Sequence, residues 1–278
     1  MAETREIAVA GRRIAYRADG SGPVVILLHC SASHSGQWVP LIEQLAPDFT
    51  VLAPDLYGYG RSDAMPDDDR PYFYYNREIV RALVAEYGGP VHLVGHSMGG
   101  TVSLRCTLDS PQMVASLCVI EPVQFSLLEE TGAPEQAEFH EISEATSALI
   151  HQGRKVEAAR LFVDFWVVEG AFDAMDAKTQ AYVTRTIGAL PREWSGMGYS
   201  ARGQWRVADL SKILQPCLIM RGGATRASAR AITELLHKNI GGSALREVAG
   251  MGHMGPATQP GPYNQIIGKF LHDQISLN

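Results

Sequence analysis

The sequence contains no paired cysteines, no long apolar run and no basic cluster, and each absence removes a class of function. Its four cysteines stand at positions 30, 106, 118 and 217 of 278. Spacing that wide makes neither a redox motif nor half of a zinc site, and no disulfide framework is expected. Nothing approaches the roughly 20 successive apolar residues that cross a bilayer. Met1 to Arg13 interleaves Glu3, Arg5 and Glu6 with short apolar pieces, unlike the core of a secretion signal. A soluble cytoplasmic protein without a membrane partner is therefore expected. No run of basic residues exceeds two, and the net charge is −6. The Lys/Arg face that neutralises nucleic-acid phosphates is missing, so no nucleic-acid partner is expected. Internal repeats and linker-like tracts are absent too.

What remains is a chain that can bury a large core, with 46% hydrophobic and 19% charged residues. Its length is long for one plain core and short for two. Ile7 to Val9 and Ile14 to Tyr16 alternate around Gly11-Arg12, as an antiparallel hairpin does. Val24 to His29, Thr50 to Ala53, Val91 to Val94, Val114 to Ile120, Cys217 to Arg221 and Ala244 to Val248 are short, mostly apolar runs. Such runs suit strands covered on both faces. Tyr75 to Tyr87, Met98 to Asp109, Ala227 to Lys238 and Pro262 to Ile275 carry helical spacing between them. The alternation predicts an α/β fold with a mostly parallel eight-stranded sheet, helices on both faces, and ligands beyond the carboxyl ends of the strands. Residues 122–210 interrupt it with helical patterns only, over 135–151, 154–168 and 174–190. They are expected to form an inserted helical cap, with 1–121 and 211–278 as the core.

Gly95-His96-Ser97-Met98-Gly99-Gly100 follows one predicted strand and opens a helix. A serine in so sharp a turn needs small residues two positions either side, and Gly95 and Gly99 provide them. The turn lifts the Ser97 hydroxyl above the sheet, and the Met98 amide at the helix N-terminus points to where an oxyanion forms. His253, in the glycine-rich stretch Ala249 to Pro256 after the last strand, is the candidate base.

Four segments in this order resemble the α/β-hydrolase superfamily over nearly the whole chain. They are Leu28-His29-Cys30 through Trp38, Pro54-Asp55 through Gly58, Gly60 and Ser62, the serine turn, and Gly252-His253. The resemblance implies a serine nucleophile, Ser97, with His253 as base and an oxyanion hole made by the amides of Met98 and Ser31. Cys30 stands where the family usually has glycine, as a small space-filling side chain or as a thiol beside the nucleophile.

The family's usual acid, three residues after a glycine beyond the seventh strand, falls here on Thr225. No Asp or Glu occurs between Leu210 and Thr233. Glu121 ends the preceding strand, where certain haloalkane dehalogenases carry their acid, and is expected to complete the triad. The competing readings are a structural salt bridge for Glu121, a serine–histidine dyad, and, more remotely, Asp209 as the acid. Asp55 is expected to brace loops around the site.

A serine triad implies acyl transfer, and cleavage of small to medium apolar carboxylic esters is the leading expectation. C–C bond hydrolysis, lactonase or perhydrolase chemistry on the same triad stays open, as does a non-catalytic ligand receptor on this scaffold. The partner is expected to be a small molecule, with no cofactor and no metal. Cys30, Phe125, Phe162, Trp166 and Trp194 are the expected pocket residues.

Overall fold

The computed structural model describes residues 2–68, 70–195, 197 and 206–276. Of the expected insertion, residues 196 and 198–205 lie outside the described residues. An eight-stranded sheet forms the centre, in the order β1-β2-β4-β3-β5-β6-β7-β8. The first two strands, β1 (Glu3–Val9) and β2 (Arg12–Asp19), make the antiparallel hairpin. Its two-residue loop places Ala10 and Gly11 both at positive φ, the backbone that matches the twist of paired strands. The strand β4 (Thr50–Pro54) pairs antiparallel with β2. All other neighbours are parallel: β3 (Val24–Leu28), β5 (Val91–His96), β6 (Val114–Ile120), β7 (Cys217–Gly222) and β8 (Ala244–Val248).

The apolar runs lack polar alternation because both faces are covered. Val25 and Leu27 of β3 point into one core, under α1 (Val39–Leu45) and α12 (Pro260–Ile275). Ile26 and Leu28 point into the other, with α2 (Tyr72–Tyr87), α3 (Met98–Asp109) and α10 (Ala227–Asn239). Each such side chain contributes about 1.5–3 kcal/mol of transfer free energy. At the edge, β8 exposes Arg246 and Glu247, and charge there discourages pairing with another chain. The helix α2 begins three residues before the spacing predicts, because Tyr72 and Phe73 bury against the core. That burial outweighs the weak helix propensity of aromatic residues.

Between β6 and β7 the described residues contain helices and no strand: α4 (Ser126–Thr131), α5 (Gln136–His151), α6 (Lys155–Trp166), α7 (Ala171–Ala174), α8 (Ala177–Thr186) and α9 (Leu190–Ser195). The pattern over 174–190 is one apolar stripe but not one helix. Asp176 caps the amides of Lys178 and Thr179, so α8 starts afresh there. A short α11 (Gly255–Thr258) follows β8. Among the described residues no helix is long and apolar enough to cross a membrane.

Candidate active site

The loops after β3, β5, β6, β7 and β8 converge at one end of the sheet. Ser97 takes φ 54° between β5 and α3, and its amide is held by the Ile120 carbonyl at 2.9 Å. Left-handed backbone is costly for a residue with a Cβ, so the surroundings must impose it. They leave no room for larger neighbours. A Cβ on Gly95 would overlap the Gly99 carbonyl, and one on Gly99 would overlap the Leu28 carbonyl. Met98 opens α3 directly after Ser97.

His253 Nε2 lies 3.0 Å from Ser97 Oγ, and its Nδ1 lies 2.6 Å from Glu121 Oε2. Glu121 is fully buried, at 0% exposure, and also adopts positive φ, 44°. It meets no Lys or Arg among the described residues. Instead its Oε1 accepts from the Gly222 amide at 2.7 Å, and its Oε2 also accepts from the Thr225 hydroxyl at 2.6 Å. Burial alone raises a carboxyl pKa, but the bonds from His253, the Gly222 amide and Thr225 outweigh it and hold Glu121 below its ordinary value. An ionised Glu121 accepts a proton only from Nδ1–H, which leaves Nε2 free to accept the Ser97 hydroxyl proton. The residue at the family's usual acid position thus donates to the Glu121 carboxylate. Asp209 lies elsewhere, accepting from the Arg206 amide and pairing with Lys212.

Two further histidines fix the backbone around this relay. The Leu56 amide donates to His29 Nε2 at 2.9 Å, so Nδ1 carries the proton and donates to the Cys30 carbonyl at 2.7 Å. The Cys30 amide donates to Gln37 Oε1, and Gln37 Nε2 therefore donates to His96 Nδ1 at 3.0 Å. His96 Nε2–H then reaches the His253 carbonyl at 2.9 Å. Burial keeps both rings neutral, His29 near pKa 4 and His96 near 3. Asp55 braces two loops, with Oδ1 accepting from the Ser35 amide at 2.7 Å and Oδ2 from the Arg61 amide at 2.9 Å.

Cys30 is buried and is not among the residues with positive φ, so its Cβ adds no backbone strain. Burial pushes its thiol up to about 12, which keeps it neutral. Among the described residues no group of three or more His, Cys, Asp or Glu is placed to hold a metal ion.

Ser97 and His253 open onto a cavity of about 230 Å³. Cys30 and Ser31 line its floor, and Phe162, Val163, Trp166, Val167, Met175 and Val183 close it from the insertion. The Trp166 ring lies 4.1 Å from the His253 ring, centroid to centroid. Two expected pocket residues are corrected. Phe125 stacks on Phe139 at 4.1 Å, and Trp194 packs edge-on against Phe139 and against the back of Phe162. Neither lines the cavity: Phe125 is buried behind Trp166, and Trp194, partly buried, fills the space between Phe139 and Phe162. One residue near the site carries no sequence signal: Glu193 of α9, buried against Ser31.

Comparison with known proteins agrees with this architecture. The family model described as the alpha/beta hydrolase family matches residues 25–266. An uncharacterized protein of Mycobacterium tuberculosis is 39% identical over 40% of this chain, and the match spans only 33% of that relative's length. A 2-(acetamidomethylene)succinate hydrolase of Mesorhizobium japonicum is 26% identical over 85% of this chain and 84% of its own. The solved structure of an alpha/beta hydrolase from Sphaerobacter thermophilus shares the fold, with a TM-score of 0.76 and 24% identity over 96% of this chain and 100% of that one. The chain spanning this sheet, serine turn and histidine loop belongs to the alpha/beta hydrolase family.

Proposed function

We propose that this protein is a serine hydrolase that cleaves small to medium apolar carboxylic esters through an acyl-enzyme. His253 Nε2 takes the Ser97 proton as Oγ attacks the ester carbonyl. Glu121 fixes the imidazole tautomer and stabilises the imidazolium that forms. The amides of Met98 and Ser31 hold the oxyanion. The alcohol then leaves with the proton from His253, and water, activated by the same imidazole, releases the acid. In this reading residues 122–210 act as a cap over a core formed by 1–121 and 211–278.

The observation that carries the proposal is the continuous relay, 3.0 Å from Ser97 to His253 and 2.6 Å on to Glu121, ending on an apolar cavity. No Lys or Arg lines that cavity among the described residues. A carboxylate-bearing substrate would find no cation there, which favours an uncharged acyl group. The volume is below the roughly 300–1,000 Å³ of drug-sized ligand sites, and so favours a short one.

The test is a series of p-nitrophenyl esters of graded acyl length, assayed on wild type and Ser97→Ala. Turnover that peaks at short acyl chains and disappears in the variant is expected. Activity on no ester, or activity that survives Ser97→Ala, overturns the proposal.

A further inference from the structure

Glu193 is a buried carboxylate with no cation beside it among the described residues, and the groups it touches belong to the core rather than to its own segment. It stands on α9 of the insertion at 1% exposure. Its Oε2 accepts from the Ser31 hydroxyl at 2.5 Å, and its Oε1 accepts from the Tyr59 hydroxyl. The Tyr72 hydroxyl faces the same carboxyl while donating to the Tyr57 carbonyl at 3.2 Å. One side chain of the insertion therefore joins the loop after β3, the loop after β4 and the start of α2.

Burying a carboxylate without a cation costs several kcal/mol, far more than a surface position would. An apolar residue in that place would be cheaper for stability alone. What the carboxylate supplies is a directional anchor on Ser31. The loop needs one, because the next residue, Ala32, sits at φ 53°. Such backbone persists only where neighbouring contacts over-determine it. On the other side of Ser31, the Cys30 amide is held by Gln37 at 3.2 Å. Beyond Ala32, the Ser33 carbonyl accepts from the Tyr182 hydroxyl at 2.7 Å. Ser31 itself is held through its side chain by Glu193.

From this geometry we infer that Glu193 is a positioning residue: by gripping the Ser31 hydroxyl it sets the direction of the Ser31 amide at the oxyanion. Closing the insertion over the core and aligning the hole are then one event. The inference rests on the proposed oxyanion role of Ser31. A donor misdirected by about 1 Å costs on the order of a hundredfold in rate while leaving substrate contacts in place.

The experiment measures kcat and KM for p-nitrophenyl butyrate with wild type, Glu193→Ala, Glu193→Gln, Ser31→Ala and the Glu193→Ala/Ser31→Ala double variant. The rate at which a fluorophosphonate labels Ser97 is followed in parallel. Glu193→Ala and Ser31→Ala, which keeps the amide but loses the hydroxyl, are each expected to lower kcat by about 10- to 100-fold with KM nearly constant. The double variant should be no worse than either single one, and Glu193→Gln, which still bonds the hydroxyl, should recover most of the loss. Labelling should slow in the same order. Additive losses, a loss confined to KM, or a Ser31→Ala variant with wild-type kcat overturns the inference, the last even if Glu193→Ala does not fold. If wild type labels but does not turn over the ester, the labelling rates decide by the same comparison. A wild type that neither labels nor turns over overturns the hydrolase reading and this inference together.

Discussion

The end of β6 and the helix α9 each bury a glutamate against a residue that lines the same cavity, His253 for one and Ser31 for the other, and the two carboxyls lean in opposite directions. Glu121 is held below its ordinary pKa, whereas burial raises Glu193 from 4.5 to about 7. Burial is the largest influence on both, so burial does not separate them. The donors do. Glu121 receives a backbone amide, a threonine hydroxyl and an imidazole that can become a cation. Among the described residues Glu193 receives only hydroxyls. In the proposed mechanism Glu121 faces a developing imidazolium and needs its charge, and the donors at the end of β6 favour that charge. A carboxylate that only grips a loop does not need it.

Removing the charge from Glu121 should have the largest effect. Glu121→Gln keeps the shape, but the amide can donate to Nδ1 and so favours the wrong tautomer. A drop in kcat of about 10³- to 10⁴-fold is expected, with the fold intact by circular dichroism. Near-normal turnover would return Glu121 to a structural role.

The next contrast is the sign of pH-dependent stability. Glu121 binds its proton less tightly folded than unfolded, so its contribution is present above the ordinary carboxyl range and is lost as pH falls through its lowered value. Glu193 binds its proton more tightly folded. Its contribution is full below 4.5 and is lost as pH rises to about 7. That shift corresponds to about 3 kcal/mol at about 1.36 kcal/mol per unit. Melting temperatures from pH 4.5 to 7.5 should therefore show wild type losing ground to Glu193→Gln as pH rises. A constant gap between the two would contradict the assignment.

Thr225→Val should have the smallest effect. It removes one donor from Glu121 without changing volume, at a cost of about 1.5 kcal/mol, or roughly tenfold in kcat. The midpoint of acid unfolding should move upward as the Glu121 pKa rises. An unmoved midpoint would mean that Thr225 does not support the charge.

The same division explains what could be read in advance. The serine turn, the hairpin and α3 were legible because their constraints are local: Gly95 and Gly99 flank Ser97, Gly11 sits in a two-residue loop, and the helix starts where the turn releases the chain. The missing acid was legible as an absence, since Leu210 to Thr233 contains no carboxylate. That Thr225 would donate to Glu121 was not, because the bond joins residues 104 positions apart. Glu193 was invisible for the same reason, its Ser31 partner being 162 positions away. Phe125 and Trp194 have the composition of a pocket, but which layer of a helical insertion each occupies depends on how its helices pack.

Proton NMR of the resting protein tests the relay most directly. A His253 Nδ1–H bonded to an ionised Glu121 should give a resonance well downfield of the amide envelope. The account predicts that resonance in wild type and in Ser97→Ala, and its loss in both Glu121→Gln and His253→Ala. The same resonance persisting in Glu121→Gln would show that another group holds the imidazole, and would contradict an acid supplied from the end of β6.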